Sequence, residues 1–215
     1  MSGKGDLLGV RIKITFVGFI KEKSVSKNIL ICGVGGQGTV LAAKVLSQAA
    51  VSGGQKVLSA ETIGMAQRGG SVVSYVRIGS DVYSPVIPRG CADVIIAFEA
   101  AEAVRNISYL KTGGTVIVSN EVVQPVTASL SGKFFDSKVM IDYLKQNATV
   151  MCVDVKKACM ELGSSRVANM VLVGAACKSG IMELSEVKDA VRLLVKPEFY
   201  ELNVRAVDYC AALDI

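Results

Sequence analysis

The chain has 215 residues, 51% hydrophobic and 20% charged, which suits an α/β domain with a substantial core and excludes a disordered protein. Its net charge of +5 is spread over separated pairs such as Lys156 with Lys157 and Arg192 with Lys196, with no basic run interleaved with aromatics, so no nucleic-acid partner is expected. Histidine is absent, which removes Ser-His-Asp and Cys-His catalysis, imidazole acid–base chemistry and any zinc site that needs imidazole.

The first 27 residues stand apart from the rest of the chain. Arg11 to Val17 alternates like a strand, and a charged stretch from Lys21 to Lys27 then leads to Asn28. This extension could serve as an edge strand, as an arm for a partner or as an addition upstream of the domain. Ile14–Ile20 is too short for a membrane span and has no small-residue cleavage site, so neither a secretory signal nor a membrane partner is expected and the location is expected to be cytoplasmic.

A single domain is predicted over residues 28–215. Ile29 to Cys32 is a short apolar run, and a turn dense in glycine follows at Gly33, Gly35, Gly36 and Gly38, with Gln37 among them. Beyond it Leu41, Val45 and Ala49 recur four apart, so strand, tight turn and helix follow one another. Glycines let backbone N–H groups approach an anion, and the helix N-terminus adds partial positive charge at the same point. Gly33-x-Gly35-x-x-Gly38 also fits the dinucleotide fingerprint, a pattern that plain strand-to-helix packing can produce equally well.

Gly53-Gly54 ends the helix, and Gln55 to Ala60 reads as a second strand. In a dinucleotide fold Glu61, about 20 residues past the last glycine, would face a ribose hydroxyl; otherwise it starts a solvated loop or helix. The second glycine loop, Gly64 to Gly70, carries Gln67, Arg68, Gly69 and Gly70. Ser71 to Ile78 alternates, and with a turn at Gly79-Ser80-Asp81 and a return strand at Val82–Ser84 it predicts a hairpin. Asp93–Phe98 is a buried strand, Glu99–Leu110 a helix and Thr115–Ser119 a further strand of parallel type. Asn120–Asp136 is irregular. A helix at Ser137–Asn147, a strand at Ala148–Val153 and helices at Val155–Leu162, Arg166–Lys178, Ser185–Val195 and Glu198–Leu213 complete the chain. The predicted fold is α/β: a Rossmann-like βαβ sheet with an inserted β-hairpin and a helical C-terminal third. The six cysteines form no C-x-x-C pair and lie mostly in apolar patterns, as reduced, packed thiols.

Three segments, in this order and spacing, carry more than a fold. They are Gly33-Val34-Gly35-Gly36-Gln37-Gly38, then Gly64-Met65-Ala66-Gln67-Arg68-Gly69-Gly70-Ser71-Val72-Val73-Ser74, then Tyr83-Ser84-Pro85 through Ala92-Asp93-Val94. Together with Asn169 to Ala175 they resemble the gamma-type subunit or domain of the 2-oxoacid:ferredoxin oxidoreductases, and within these the small (beta) subunit of the indolepyruvate type. The resemblance runs from about Asn28 to the C-terminus. Members of that family often carry histidine where this chain has Ile63 and Tyr75, so no imidazole role transfers to those positions.

The resemblance implies oxidative decarboxylation of a 2-oxo acid with thiamine diphosphate, electrons passing through iron–sulfur clusters to ferredoxin and the acyl group ending on coenzyme A. The sequence has neither a Gly-Asp-Gly…Asn-Asn pair for thiamine diphosphate and magnesium nor a C-x-x-C-x-x-C run for a cluster. Thiamine diphosphate, Mg and the 4Fe-4S clusters are therefore expected in a larger partner subunit, without which this chain is inactive, and ferredoxin is met through the complex. The resemblance implies that the two loops, at Gly33, Gly35, Gly36, Gln37 and Gly38 and at Gln67, Arg68, Gly69 and Gly70, meet either coenzyme A, as a ligand shared with the partner, or the substrate-side wall of the cavity. Two other readings stay open: a free-standing NAD- or FAD-dependent oxidoreductase, and an architectural subunit that binds no ligand.

Overall fold

The computed structural model describes residues 5–7 and 10–17 as backbone, and residues 26–63, 69–124 and 134–212. At its centre is β3 (Lys27–Val34), which runs into helix α1 (Thr39–Ser52). β6 (Ala92–Ala97), β7 (Leu110–Ser119) and β8 (Thr149–Val153) lie parallel to β3 on one side. These strands are near-continuous apolar runs because both faces of a parallel sheet are covered. Ile29, Ile31, Val94, Ile96 and Ile117 point to one core, while Leu30, Cys32, Ile95, Ala97, Val116 and Val118 point to the other.

Helices α1, α4 (Val155–Leu162), α5 (Ala168–Lys178), α6 (Leu184–Leu194) and α7 (Pro197–Ala212) cover the first face. Helices α2 (Ala100–Asn106) and α3 (Ser137–Asn147) cover the second through Ala100, Ala103, Ile141 and Leu144. The C-terminal third is helical, as its periodicity predicts. α6 begins one residue before the predicted Ser185, with Glu183 at the N-cap and no side-chain cap, and Pro197 occupies the first position of α7.

The other half of the sheet is antiparallel. β4 (Val57–Ile63) and β5 (Ser71–Ile78) form a hairpin whose connection is the second glycine loop, and β5 inserts between β4 and β3. The inserted hairpin is present, but its partner strand is not the one predicted. Val82–Ser84 forms no strand: Val82 is buried, and the carbonyls of Ser84 and Val86 are met by Arg77 Nη1 at 2.9 and 3.3 Å rather than by a neighbouring ladder. The N-terminal segment takes the edge-strand role. β2 (Val10–Val17) pairs antiparallel with β4, and β1 (Gly5–Leu7) pairs with β2. The predicted helix to Leu110 stops at Asn106. One 3₁₀ turn follows, and Leu110 then opens β7 by pairing with Ala92 across a bulge.

Two features of this fold bear on the glycine turn. β5 separates β4 from β3, so Glu61 stands in a strand, opposite Ser74, two strand spacings or about 10 Å from the line of β3. It is half-buried strand rather than solvated loop or helix, and it lies outside the position a ribose-binding carboxylate takes beside the first strand. The second feature is α5, buried along Asn169–Ala176. It crosses α7 so closely at Gly174 that an added Cβ would lie 2.2 Å from the Val207 carbonyl oxygen. That approach sets the depth at which Asn169, at the start of α5, meets the glycine turn. Gly174→Ala is expected to force the two helices apart and to destabilise the chain by about 1–3 kcal/mol. Thermal melting of the variant checks this, and an unchanged Tm would contradict the crossing.

Candidate functional site

The first connection of the parallel half, β3 to α1, leaves on one face, and the next, β6 to α2, leaves on the other. The carboxyl ends of β3 and β6 therefore flank the point where the winding reverses, the place where open α/β sheets form a crevice. The glycine turn occupies that place. Its glycines do different things. Gly33 is a packing residue: a Cβ there would lie 2.8 Å from Phe98 Cβ and 2.9 Å from Thr39 Cγ2. Gly36, at φ +103°, is the exposed tip and faces open space. Gly38, at φ +87°, is the N-cap of α1 and supplies no side-chain cap, so the first turn of the helix keeps N–H groups directed at the crevice. Asn169 lies against Gly38, its Nδ2 2.9 Å from where a Cβ would be.

Gln37 braces the turn from inside. Its Oε1 accepts the Val34 N–H at 2.7 Å, and its Nε2 points to the Phe98 carbonyl at 3.5 Å. The second glycine loop comes to the same place. Gly35 N–H donates to the Gly70 carbonyl at 2.8 Å, and Gly69 N–H approaches the Gly35 carbonyl at 3.5 Å. Gly69 is exposed and at φ +77°. Of the predicted site, Gly35, Gly36, Gln37, Gly38, Gly69 and Gly70 are thus brought together, with Gly33 buried beneath them. Gln67 and Arg68, with Gly64 to Ala66, lie outside the described residues.

Comparison with known proteins gives the same direction. Residues 28–213 match the family of the pyruvate ferredoxin/flavodoxin oxidoreductases. The chain belongs to that family. It is 41% identical over 186 residues to the indolepyruvate oxidoreductase subunit IorB of Pyrococcus horikoshii, covering 84% of this chain and 92% of that one. It is 40% identical over 189 residues to the subunit of the same name from Thermococcus kodakarensis, with the same coverage. Among solved structures, the gamma subunit of a keto/oxoacid ferredoxin oxidoreductase from Geobacter sulfurreducens superposes with a TM-score of 0.63 at 25% identity, over 87% of this chain and 99% of that one. The chain is a subunit of a 2-oxoacid:ferredoxin oxidoreductase, as its glycine segments imply.

The surroundings of the turn are acidic. Glu99 and Glu102, at the start of α2, are each 1% exposed. Glu99 caps α2: its Oε2 accepts the Glu102 N–H at 2.8 Å, and its Oε1 accepts the Val123 N–H at 3.3 Å. Burial pushes its carboxyl above the usual range, against those two hydrogen bonds. Glu102 accepts from Ser71 Oγ at 2.6 Å and pairs with Arg105. Behind them the Cys32 thiol is raised well above its ordinary value by burial first and then by Glu102 and Glu99, so it stays protonated. Cys177 is pushed up to about 12 and Cys210 to about 11, again by burial. These thiols are packed hydrophobes, as the sequence pattern suggests. Among the described residues no group of three or more His, Cys, Asp or Glu side chains is disposed to hold a metal, and no helix is long and apolar enough to cross a membrane.

The sequence reading missed Glu102, Ser71 and the contact of Asn169 with Gly38. One signal was there: two glutamates three apart inside Phe98-Glu-Ala-Ala-Glu-Ala, otherwise apolar, are costly to bury without partners. Gln37 offers a direct check of the turn. Gln37→Ala leaves the Val34 N–H without its acceptor and is expected to cost about 1–3 kcal/mol. Urea denaturation measures it, and a loss below about 0.5 kcal/mol would show that the brace is not needed.

Proposed function

We propose that this chain is the small subunit of an indolepyruvate-type 2-oxoacid:ferredoxin oxidoreductase and that its joined glycine loops form one wall of the catalytic cavity, where they hold coenzyme A. The substrate class rests on the two relatives named as indolepyruvate oxidoreductase subunits. The ligand assignment rests on one observation above all: two sequence-distant glycine loops hydrogen-bond to each other at the point where the sheet reverses its winding. Such a surface combines backbone N–H groups, an N-terminal helix dipole and open space above Gly36, which suits the phosphates of coenzyme A. A 2-oxoglutarate:ferredoxin oxidoreductase from Magnetococcus marinus, solved with 2-oxoglutarate, coenzyme A and succinyl-CoA bound, shares the fold with a TM-score of 0.70 at 19% identity, over 89% of this chain and 31% of that one.

In this reading residues 28–215 are one domain and residues 1–27 an extension of it. Thiamine diphosphate, magnesium and the 4Fe-4S clusters sit in a larger partner subunit and supply the decarboxylation and the electron path to ferredoxin. The present chain contributes binding and orientation: Gly36 and Gly38 present backbone, Gly33, Gly35 and Gln37 hold the turn in shape, and Gln67 and Arg68, which precede Gly69 and Gly70 in sequence, supply polar and cationic side chains. The complex works in the cytoplasm.

Arg68 is the residue to test, because a guanidinium can grip phosphate or carboxylate with two hydrogen bonds and an ammonium cannot. In the reconstituted complex Arg68→Ala is expected to lower kcat/KM by about 10- to 100-fold, the equivalent of one charge-assisted hydrogen bond. Arg68→Lys is expected to recover part of that loss, with gel filtration showing intact assembly for both. Dissociation of the complex, or turnover within about twofold of the unsubstituted enzyme, would make Arg68 structural and the ligand assignment wrong.

A further inference from the structure

Glu102 is held from every side. Its Oε2 accepts the Ser71 hydroxyl at 2.6 Å, and its Oε1 accepts from Arg105 Nη1. Its own N–H donates to Glu99 Oε2, and its carbonyl accepts from Asn106 Nδ2 at 2.9 Å. The side chain is 1% exposed, whereas that of Arg105 is 55% exposed, so the pair carries its charge outward to solvent through the arginine. A carboxylate is withdrawn from water at a cost that only partners return. Filling the space between α2 and the sheet would need no such group, since Ala100, Ala101 and Ala103 on the same short helix do so with methyls.

What the carboxylate reaches is the end of the second glycine loop. Ser71 is exposed, is the first residue of β5 and directly follows Gly70, whose carbonyl takes the Gly35 N–H. Glu102, Ser71, Gly70 and Gly35 therefore form a continuous link from the buried start of α2 to the glycine turn. We propose that Glu102 is a positioning residue that, through Ser71, fixes Gly69 and Gly70 against the glycine turn, so that this end of the second loop is set before coenzyme A arrives. This rests on the reading of that loop as ligand-facing.

The assembled complex tests it with Ser71→Ala, Ser71→Thr and Glu102→Gln, beside Arg68→Ala. Ser71→Ala is expected to raise KM for coenzyme A by about five- to tenfold, keep kcat within about twofold and lower Tm because the buried Glu102 Oε2 loses its donor, and Ser71→Thr, which retains the hydroxyl, is expected to restore both KM and Tm. Glu102→Gln is expected to raise KM similarly, and the double variant with Ser71→Ala to be no worse than either single one, because both cut the same link. Ser71→Ala keeps the test independent of whether the Glu102 variant folds. An unchanged KM in Ser71→Ala, or a rise that Ser71→Thr shares, would overturn the positioning role. If Arg68→Ala raises KM and Ser71→Ala does not, the positioning role alone fails. If Ser71→Ala raises KM and Arg68→Ala does not, the link stands and the assignment of Arg68 to the ligand fails.

Discussion

Everything at the candidate site depends on one backbone contact, the Gly35 N–H to the Gly70 carbonyl at 2.8 Å. It joins two loops 35 residues apart in sequence, and it can form only because β5 lies directly beside β3. In an ordinary doubly wound sheet the strand after α1 would take that place and run parallel to β3. Here that strand is β4, displaced outward by β5, and the hairpin connection is delivered to the carboxyl end of β3 instead of a ribose-binding carboxylate. The same insertion that moves Glu61 away from the glycine turn brings Gly69 and Gly70 to it.

The contact is supported from three directions by groups that do not themselves face the crevice. Gln37 closes the turn from within, Asn169 is pressed against Gly38 from α5, and Glu102 ties Ser71 down from α2. Each support comes from a different layer of the fold. α5 reaches its depth because Gly174 allows it to touch Val207 of α7, and α2 can bury Glu102 because Arg105 offsets its charge at the surface. A binding surface made of main chain has few side chains with which to fix itself, so its geometry is set by the packing around it.

Much of this was legible in the residues. The change of period from Ile29–Cys32 to Leu41, Val45 and Ala49 marks β3, the turn and α1, and α3 and α4 begin and end where the apolar spacing places them. Partnership of strands was less legible. Ser71–Ile78 alternates and is a strand, yet alternation states only which residues share a face and not which strand lies alongside. Val82–Ser84 looked like the return strand because Val82 is apolar and a turn precedes it; Arg77, fourteen residues before the end of that loop at Cys91, satisfies its carbonyls in place of a ladder. The acidic network was hidden for a similar reason. Glu99 could be seen as the start of a helix, but that Glu102 would be buried and bound to Ser71, 31 residues away, depends on how β5 and α2 meet.

Hydrogen exchange of the backbone amides in the assembled complex, with and without coenzyme A, tests the central claim most directly. If the joined glycine loops are one ligand-binding surface, adding coenzyme A slows exchange across residues 35–40 and 69–71 together, beyond the protection that the partner subunit alone confers. Exchange in both segments that responds to the partner but not to coenzyme A would contradict it, and would make the two loops a subunit contact.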